Sequence, residues 1–231
     1  MKNVYSRSFE SAPPPRNINN CKAFTLPEVL ITLGIIGVVA ALTMPSLVAN
    51  YQKKATAIKV KKFYTNFNQA IKLSEIENGD FKYWTYNNSN ELYDNYLAKY
   101  LKVVQVQRNI HMYGNFTGGI KFIFSDGTQA ICSPKTNLTG YGNGAPISPC
   151  IFYTRGINKW VSNAKEAGYS THSVFWFLIN ENGILEPPYM TSPRSSLIKL
   201  CEEINNKGNG MTTCGTLLYK DNWEIKDDYP W

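Results

Sequence analysis

Few side chains in this sequence have the type and spacing that enzymatic chemistry requires. The two histidines, His111 and His172, belong to no nucleophile or metal motif, so we expect them to be structural or surface residues. The sequence has no G-x-S-x-G turn, no phosphate-binding glycine loop and no H-E-x-x-H helix. We therefore predict no catalytic residues and no enzymatic activity.

A short polar run has oxygen-bearing side chains at spacings that faintly resemble a calcium loop, namely Asn180, Asn182 and Glu186 around Gly183. Amides stand where such a loop would usually have aspartates, so we interpret the run as a turn. We expect neither a metal ion nor a cofactor.

Glu28 is the side chain whose position most clearly requires an interaction partner. The residues that follow it, Val29 to Ala49, are 21 positions without a charge. At about 1.5 Å of rise per residue, such a helix spans a hydrocarbon core of roughly 30 Å. A lone carboxylate at the edge of that core would cost several kcal/mol, so Glu28 needs a partner.

The run from Ala23 to Glu28, AFTLPE, followed by an apolar helix, resembles the cleavage and methylation signal of type IV prepilins and type II secretion pseudopilins. The resemblance implies that a prepilin peptidase/methyltransferase cuts after Ala23 and methylates Phe24. It implies that Glu28 pairs with the N-terminal amine of a neighbouring subunit. It also implies that Pro45, late in the apolar helix, permits a kink.

The chemistry of the junction agrees with this resemblance. Cutting after Ala23 would create a positive amine within about one helical turn of Glu28. Pro27 would then lie in the first turn of the helix, where backbone N–H groups have no intrahelical partner. The leader, residues 1–23, contains the prolines Pro13 to Pro15 and is interpreted as a disordered tag.

Two other interpretations of the apolar run stay open. A plain signal-anchor helix would make the chain a single-pass membrane-anchored surface-binding protein that forms no fibre. A cleaved secretory signal fits less well, because its apolar region usually has about 7–15 residues. The FTLPE run favours the pilin-like interpretation.

The cations that flank the apolar run argue for the opposite orientation. Counting them alone would put the C-terminal side in the cytoplasm, since two precede the run and five follow it: Arg16 and Lys22, then Lys53, Lys54, Lys59, Lys61 and Lys62. The prepilin signal requires the leader inside and the head outside the cytoplasm. We follow the signal, because large domains translocate regardless of flanking charge.

Four cysteines follow the leader, and the resemblance places them outside the cytoplasm, where disulfides persist. Three pairings exist. Cys132 with Cys150 and Cys201 with Cys214 are favoured because they close short loops rich in Gly, Asn and Pro. Free buried thiols are an alternative, and a zinc site is disfavoured because there is no C-x-x-C pair.

The order of patterns predicts an α+β, pilin-like fold. After the leader (1–23) we expect an assembly helix (24–50), its amphipathic continuation (51–78), ended by Asn78-Gly79, and a globular head (79–231). A shorter helix is predicted from Glu91 to Val103.

Strands follow, as an antiparallel sheet of four to six. Three hairpins are predicted: Gly119–Phe124 with Thr128–Cys132, Val174–Ile179 with Ile184-Leu185, and Leu217–Tyr219 with Trp223–Ile225. The intervening segments 133–148, 187–195 and 205–210 are predicted to be exposed loops.

The formal net charge is +7, of which the leader supplies three, so the mature chain has only about +4. That is too mild to make nucleic acid the expected partner, although weak attraction to DNA stays open. The resemblance implies other partners: the peptidase, other pilin-like subunits, membrane lipid and an inner-membrane assembly platform. It implies a location in the cytoplasmic membrane, with a fibre beyond it.

Overall fold

The fold begins with one long helix, α1 (Leu26–Asn78), of 53 residues. In the computed structural model the described residues are 24–110, 118–133, 148–156, 172–207 and 213–231, with the side chains of 204–207 left aside. α1 continues on both sides of Pro45, which removes one backbone donor from the helix. Within the described residues, α1 is the one helix long and apolar enough to cross a membrane. Contacts within the chain divide it into two compact units after Leu47.

The second half of α1 is amphipathic, as the three- and four-residue spacing predicted. Its buried side chains all lie on one face: Thr56, Ala57, Val60, Phe63, Phe67, Ala70, Ile71 and Ser74. The helix ends where Gly79, with a φ of 76°, donates its N–H to the Glu75 carbonyl at 2.9 Å. A left-handed glycine at this position is the usual helix stop, so the predicted end at Asn78-Gly79 is confirmed.

Short helical segments connect α1 to the sheet. A 3₁₀ turn covers Phe81–Tyr83, and α2 (Ser89–Leu92) continues as a π-helical turn over Tyr93–Leu97. The Asn88 side chain accepts the Glu91 N–H at 2.9 Å, which caps α2. The predicted helix from Glu91 to Val103 therefore begins two residues earlier and ends at Leu97, six residues before the predicted end.

The head contains a six-stranded antiparallel sheet whose spatial order follows the chain. The strands are β1 (Gln105–Ile110), β2 (Gly119–Ile123), β3 (Gln129–Cys132), β4 (Ser148–Tyr153), β5 (Val174–Ile179) and β6 (Leu185–Glu186). A long helix before an antiparallel meander is the predicted α+β, pilin-like architecture, which is confirmed.

The face of the sheet towards the second half of α1 is rich in aromatic side chains. The Phe63 ring stacks on the Phe152 ring, with centroids 4.5 Å apart, and Phe67 meets Phe122 edge-on at 6.4 Å. Every residue of β4 and β5 is buried, on both faces of the sheet. The continuous apolar sequence of β5, VFWFLI, is typical of a strand covered on both sides.

The first two predicted hairpins are confirmed. In the turn between β2 and β3, Asp126 Oδ1 accepts the Thr128 N–H at 3.1 Å and Gly127 has a φ of 77°. In the turn between β5 and β6, Gly183 has a φ of 71°, and a Cβ there would lie 2.5 Å from the Phe81 side chain. Both turns therefore favour glycine through backbone conformation, and the second also through space.

The third predicted hairpin is wrong. Leu217–Tyr219 lies in helix α4 (Cys214–Lys220), and helix α3 (Arg194–Lys207) begins in a segment predicted to be loop. After α4, Asn222 and Trp223 have φ values of 55° and 65°, and their N–H groups return to the Tyr219 and Leu218 carbonyls. This pattern is a Schellman helix stop, with Asn222 where glycine usually stands.

The Asn68 side chain connects α1 to the edge strand β6 by the pair of hydrogen bonds that a neighbouring strand's backbone would otherwise make. Its Oδ1 accepts the Leu185 N–H at 2.8 Å, and its Nδ2 donates to the Leu185 carbonyl at 3.0 Å. Leu185 is fully buried, so these backbone groups have no access to water. A side-chain amide thus takes the place of the next strand.

We predict that Asn68→Ala lowers the free energy of unfolding by about 2–4 kcal/mol, because two buried backbone groups lose their partner. Urea unfolding of the full chain in detergent, followed by tryptophan fluorescence, measures the change. Asn66→Ala is the matched control: Asn66 is exposed on the same helix and should cost less than about 0.5 kcal/mol. Equal effects of the two substitutions would contradict the role given to Asn68.

Candidate processing and assembly site

The N-terminal end of α1 is built around Glu28. The helix begins at Leu26, and the Val29 N–H donates to the Thr25 carbonyl at 3.2 Å. Glu28 Oε2 accepts both the backbone N–H of Thr25, at 2.8 Å, and its hydroxyl, at 2.7 Å. A carboxylate that reaches back to the N–H of the residue before the helix is one half of a capping box.

The capping interaction gives Glu28 a partner inside its own chain, which the sequence analysis did not anticipate. The sequence does contain the pattern for it, because Thr-x-x-Glu commonly marks the start of a helix. Both donors of Thr25 use the same oxygen. Glu28 Oε1 makes no hydrogen bond with any residue that the structure describes, so one carboxylate oxygen is free to accept from another group.

The apolar side chains of the first half of α1 are exposed. From Leu26 to Val48 the most exposed retain half or more of their surface: Leu26, Leu30, Ile31, Leu33, Ile35, Ile36, Val38, Val39, Leu42, Met44, Leu47 and Val48. Gly34 and Gly37 have nothing within 4 Å of where a Cβ would be. No described part of the chain covers this surface, so it requires lipid or other helices around it.

The remaining processing residues divide between described and undescribed positions. Phe24 is 85% exposed and directly precedes the capping box. Ala23 and the leader lie outside the described residues. Cleavage after Ala23, methylation of Phe24 and a kink at Pro45 stay predictions.

The structure pairs the four cysteines of the head in the favoured way. Cys132 and Cys150 are opposite each other on β3 and β4, with an S–S distance of 2.07 Å. Cys201 on α3 and Cys214 at the start of α4 have an S–S distance of 2.11 Å. The second disulfide joins two helices that the sequence analysis did not predict.

A charged cluster at Arg194 holds the C-terminal part of the head. Arg194, at the start of α3, donates to Asp221 with Nη2 at 2.8 Å and to Asp228 with Nη1 at 2.5 Å. Lys226 also contacts Asp221, at 2.8 Å. Burial works to raise the pKa of Asp221, but hydrogen bonds from Arg194 and Lys226 outweigh it and hold the pKa below its usual range.

The other candidates for chemistry are structural in the described residues. Asn180 Oδ1 accepts the N–H groups of Asn182 and Ile184, each at 3.0 Å, so it closes the turn before β6 as predicted. His172 is half-buried against Trp231, with ring centroids 4.5 Å apart. His111 lies outside the described residues. No group of three or more His, Cys, Asp or Glu side chains in the described part of the chain could hold a metal ion.

Comparison with known families agrees with the two-part organisation. The model of a family of unknown function (DUF6613) matches residues 46–231, most of the chain. The chain belongs to this family. The model of the prokaryotic N-terminal methylation motif matches residues 18–44, which contain the predicted cleavage position and Glu28.

The family model thus covers the head and the adjoining part of the long helix, and the methylation motif covers the segment before them. Together with the α+β, pilin-like fold, the methylation motif makes the chain a pilin-like protein that prepilin peptidase processes. Its apolar helix and signal are those of a single-pass membrane anchor. Searches among functionally described proteins and among solved structures found no match.

We predict that Asp221→Asn destabilises the head by about 1.5–3 kcal/mol at pH 7, because it removes charge-assisted hydrogen bonds from a buried position. The pKa of Asp221 is lowered in the fold, so its contribution is complete above its ordinary pKa of about 4 and is lost as pH falls through the lower, folded pKa. The difference in the free energy of unfolding between wild type and variant should therefore become smaller as the pH falls from 5 to 2. Thermal unfolding of the full chain measures it.

The control is Asp227→Asn, which removes the same charge from an exposed side chain that forms no ion pair among the described residues. It should leave unfolding at pH 7 within about 0.5 kcal/mol of wild type. If Asp221→Asn lowers the free energy of unfolding by the same amount at every pH, the charge of Asp221 does not stabilise the head.

Proposed function

We propose that the chain is a structural subunit, a pseudopilin or minor pilin, of a type II secretion or type IV pilus-type machine. Residues 1–23 are removed after Ala23, and Phe24 becomes the methylated N terminus. Residues 24–50 serve as the assembly helix, 51–78 as its amphipathic continuation and 79–231 as the head outside the cytoplasm. The work of the protein is mechanical, and no described side-chain arrangement supports catalysis.

The observation that carries this proposal is the pairing of a methylation signal with an exposed apolar helix. Each of the exposed Leu, Ile and Val side chains gains about 1.5–3 kcal/mol when it is removed from water. Lipid satisfies them in the membrane, and sister helices can satisfy them in a fibre. Gly34 and Gly37 offer open backbone along which another helix can approach closely.

The electrostatics of Glu28 support a contact between subunits. Thr25 uses only Oε2, so Oε1 stays available when the helix is capped. Cleavage after Ala23 would convert the backbone nitrogen of Phe24 into a cationic amine. A cation from a neighbouring chain at Oε1 would neutralise the carboxylate without breaking the cap. Partners of this kind are other pilin-like subunits, delivered by an assembly platform in the inner membrane.

The proposal separates two roles of Glu28 that a single alanine substitution would confuse. Glu28→Gln keeps an oxygen that can accept the Thr25 N–H, because Gln also forms capping boxes, but it removes the charge. We expect leader cleavage to proceed and co-assembly to fall at least about tenfold, as charge-assisted hydrogen bonds contribute about 1.5–3 kcal/mol. Mass spectrometry of the mature N terminus reports cleavage, and cross-linking in membranes followed by sheared-fibre analysis reports assembly.

Thr25→Ala is the matched control, since it removes the hydroxyl donor and keeps the carboxylate and both backbone groups. It should assemble at close to wild-type levels. Normal assembly of Glu28→Gln would refute the pairing. Recovery of wild type with residues 1–23 still attached would instead favour a membrane-anchored surface-binding protein that forms no fibre.

A further inference from the structure

A cavity of about 260 Å³ lies beside the start of the amphipathic half of α1. Its walls include Tyr51, Gln52 and Lys59 from α1, Arg155 after β4, His172 before β5, and Trp231. Cavities that hold drug-sized ligands are usually about 300–1,000 Å³. This one is therefore suited to a small polar group.

Apart from Ala55, the described side chains that line the cavity are cationic, polar or aromatic, and none is Asp or Glu. Lys59 and Arg155 form no ion pair with any carboxylate that the structure describes. An anionic group in the cavity would balance these two positive charges.

Hydrogen bonds fix the walls of the cavity. Lys59 Nζ donates to the Thr154 carbonyl at 3.3 Å, and the Thr154 hydroxyl donates to the His172 carbonyl at 3.1 Å. The His172 ring lies against the Trp231 ring. The Lys59 ammonium and the Arg155 guanidinium border one space, and two such cations match the charge and the acceptor oxygens of a phosphate group.

The position of the cavity in the chain indicates where that phosphate comes from. Tyr51 comes two positions after Ala49, where the apolar run ends, which is about 3 Å of helical rise. Lipid headgroups occupy several ångströms beyond the hydrocarbon core, since the whole bilayer is about 40–45 Å thick. Tyr and Trp side chains are enriched at this level of a membrane, and clustered Lys and Arg side chains attract anionic lipids there.

We propose that this cavity binds the phosphate of an anionic phospholipid headgroup. Lys59 and Arg155 supply the charge, and Tyr51, His172 and Trp231 border the same space. The site requires only that the apolar run lies in a membrane, so it does not depend on assembly into a fibre. One lipid is bound per chain, in addition to any diffuse attraction to Lys53 and Lys54.

Native mass spectrometry of the full chain in detergent tests this proposal, with phosphatidylglycerol and phosphatidylcholine of identical acyl chains as probes. Wild type should retain one phosphatidylglycerol per chain in preference to phosphatidylcholine. The double variant Lys59→Gln/Arg155→Gln should lower that preference at least about tenfold, because hydrogen bonds between charged groups contribute about 1.5–3 kcal/mol each. Unfolding by urea checks that the variant keeps its fold, and Arg155→Gln alone, at an exposed position, should lower the preference in the same direction.

The matched control is Lys53→Gln/Lys54→Gln, which removes the same charge beside the apolar run but outside the cavity. It should keep the single retained lipid. Equal loss in both double variants would show diffuse attraction and overturn the proposal. Inorganic phosphate that displaces the lipid at comparable concentration would also overturn it, because the site would then be one for soluble anions.

Discussion

The structure depends on one helix meeting two different requirements along its length. Before Thr56 no side chain of α1 is buried by the described chain, whereas from Thr56 onwards one side chain in every three or four is buried. The apolar residues of the first half are therefore without cover, and those of the second half form the floor of a core. Each half is incomplete alone, because its apolar surface needs a second layer.

The head supplies that second layer for the amphipathic half with both aliphatic and aromatic side chains. Phe63 contacts Phe67, Phe124, Phe152 and Phe177, with centroids 4.5–6.0 Å apart. Large rings bury much area per residue and prefer specific relative orientations. Asn68 then fixes the edge strand to the same helix by backbone-like hydrogen bonds. The position of the sheet along α1 is thus set both by the packing of the rings and by the hydrogen bonds of Asn68.

Sequence reasoning succeeded where local signals and periodicity agreed. The apolar spacing of α1, its stop at Gly79 and the turns at Gly127 and Gly183 each have a mechanism that acts within a few residues. It failed at α4, because a run such as Leu217-Leu218-Tyr219 is too short to distinguish a strand from a buried helix. The helix is selected by its Schellman stop at Asn222 and by full burial of Leu217 and Leu218, and burial is decided by distant residues.

The candidate site shows the same division. The residues of the methylation signal could be read directly, and the capping box follows from the Thr25–Glu28 spacing. The charged cluster could not be anticipated, because Arg194, Asp221 and Asp228 are brought together only by the packing of α3 and α4. The cavity of Lys59, Arg155 and His172 likewise draws on three distant segments. Spacing reveals chemistry within one element, but not between elements.

The proposed lipid site offers a physical reason for the lysines after the apolar run. The orientation of the chain in the membrane offers none. Cations close to a span normally stay in the cytoplasm, yet the topology that we propose puts this flank outside. Positive charge on this flank makes insertion in the proposed orientation less favourable, unless the charge interacts with another partner after insertion. Anionic lipid headgroups would be such a partner on either side of a membrane, and in the proposed site Lys59 would meet one while its ammonium donates to the Thr154 carbonyl. A charge that is unfavourable for insertion can thereby be favourable for holding the inserted chain at a fixed depth.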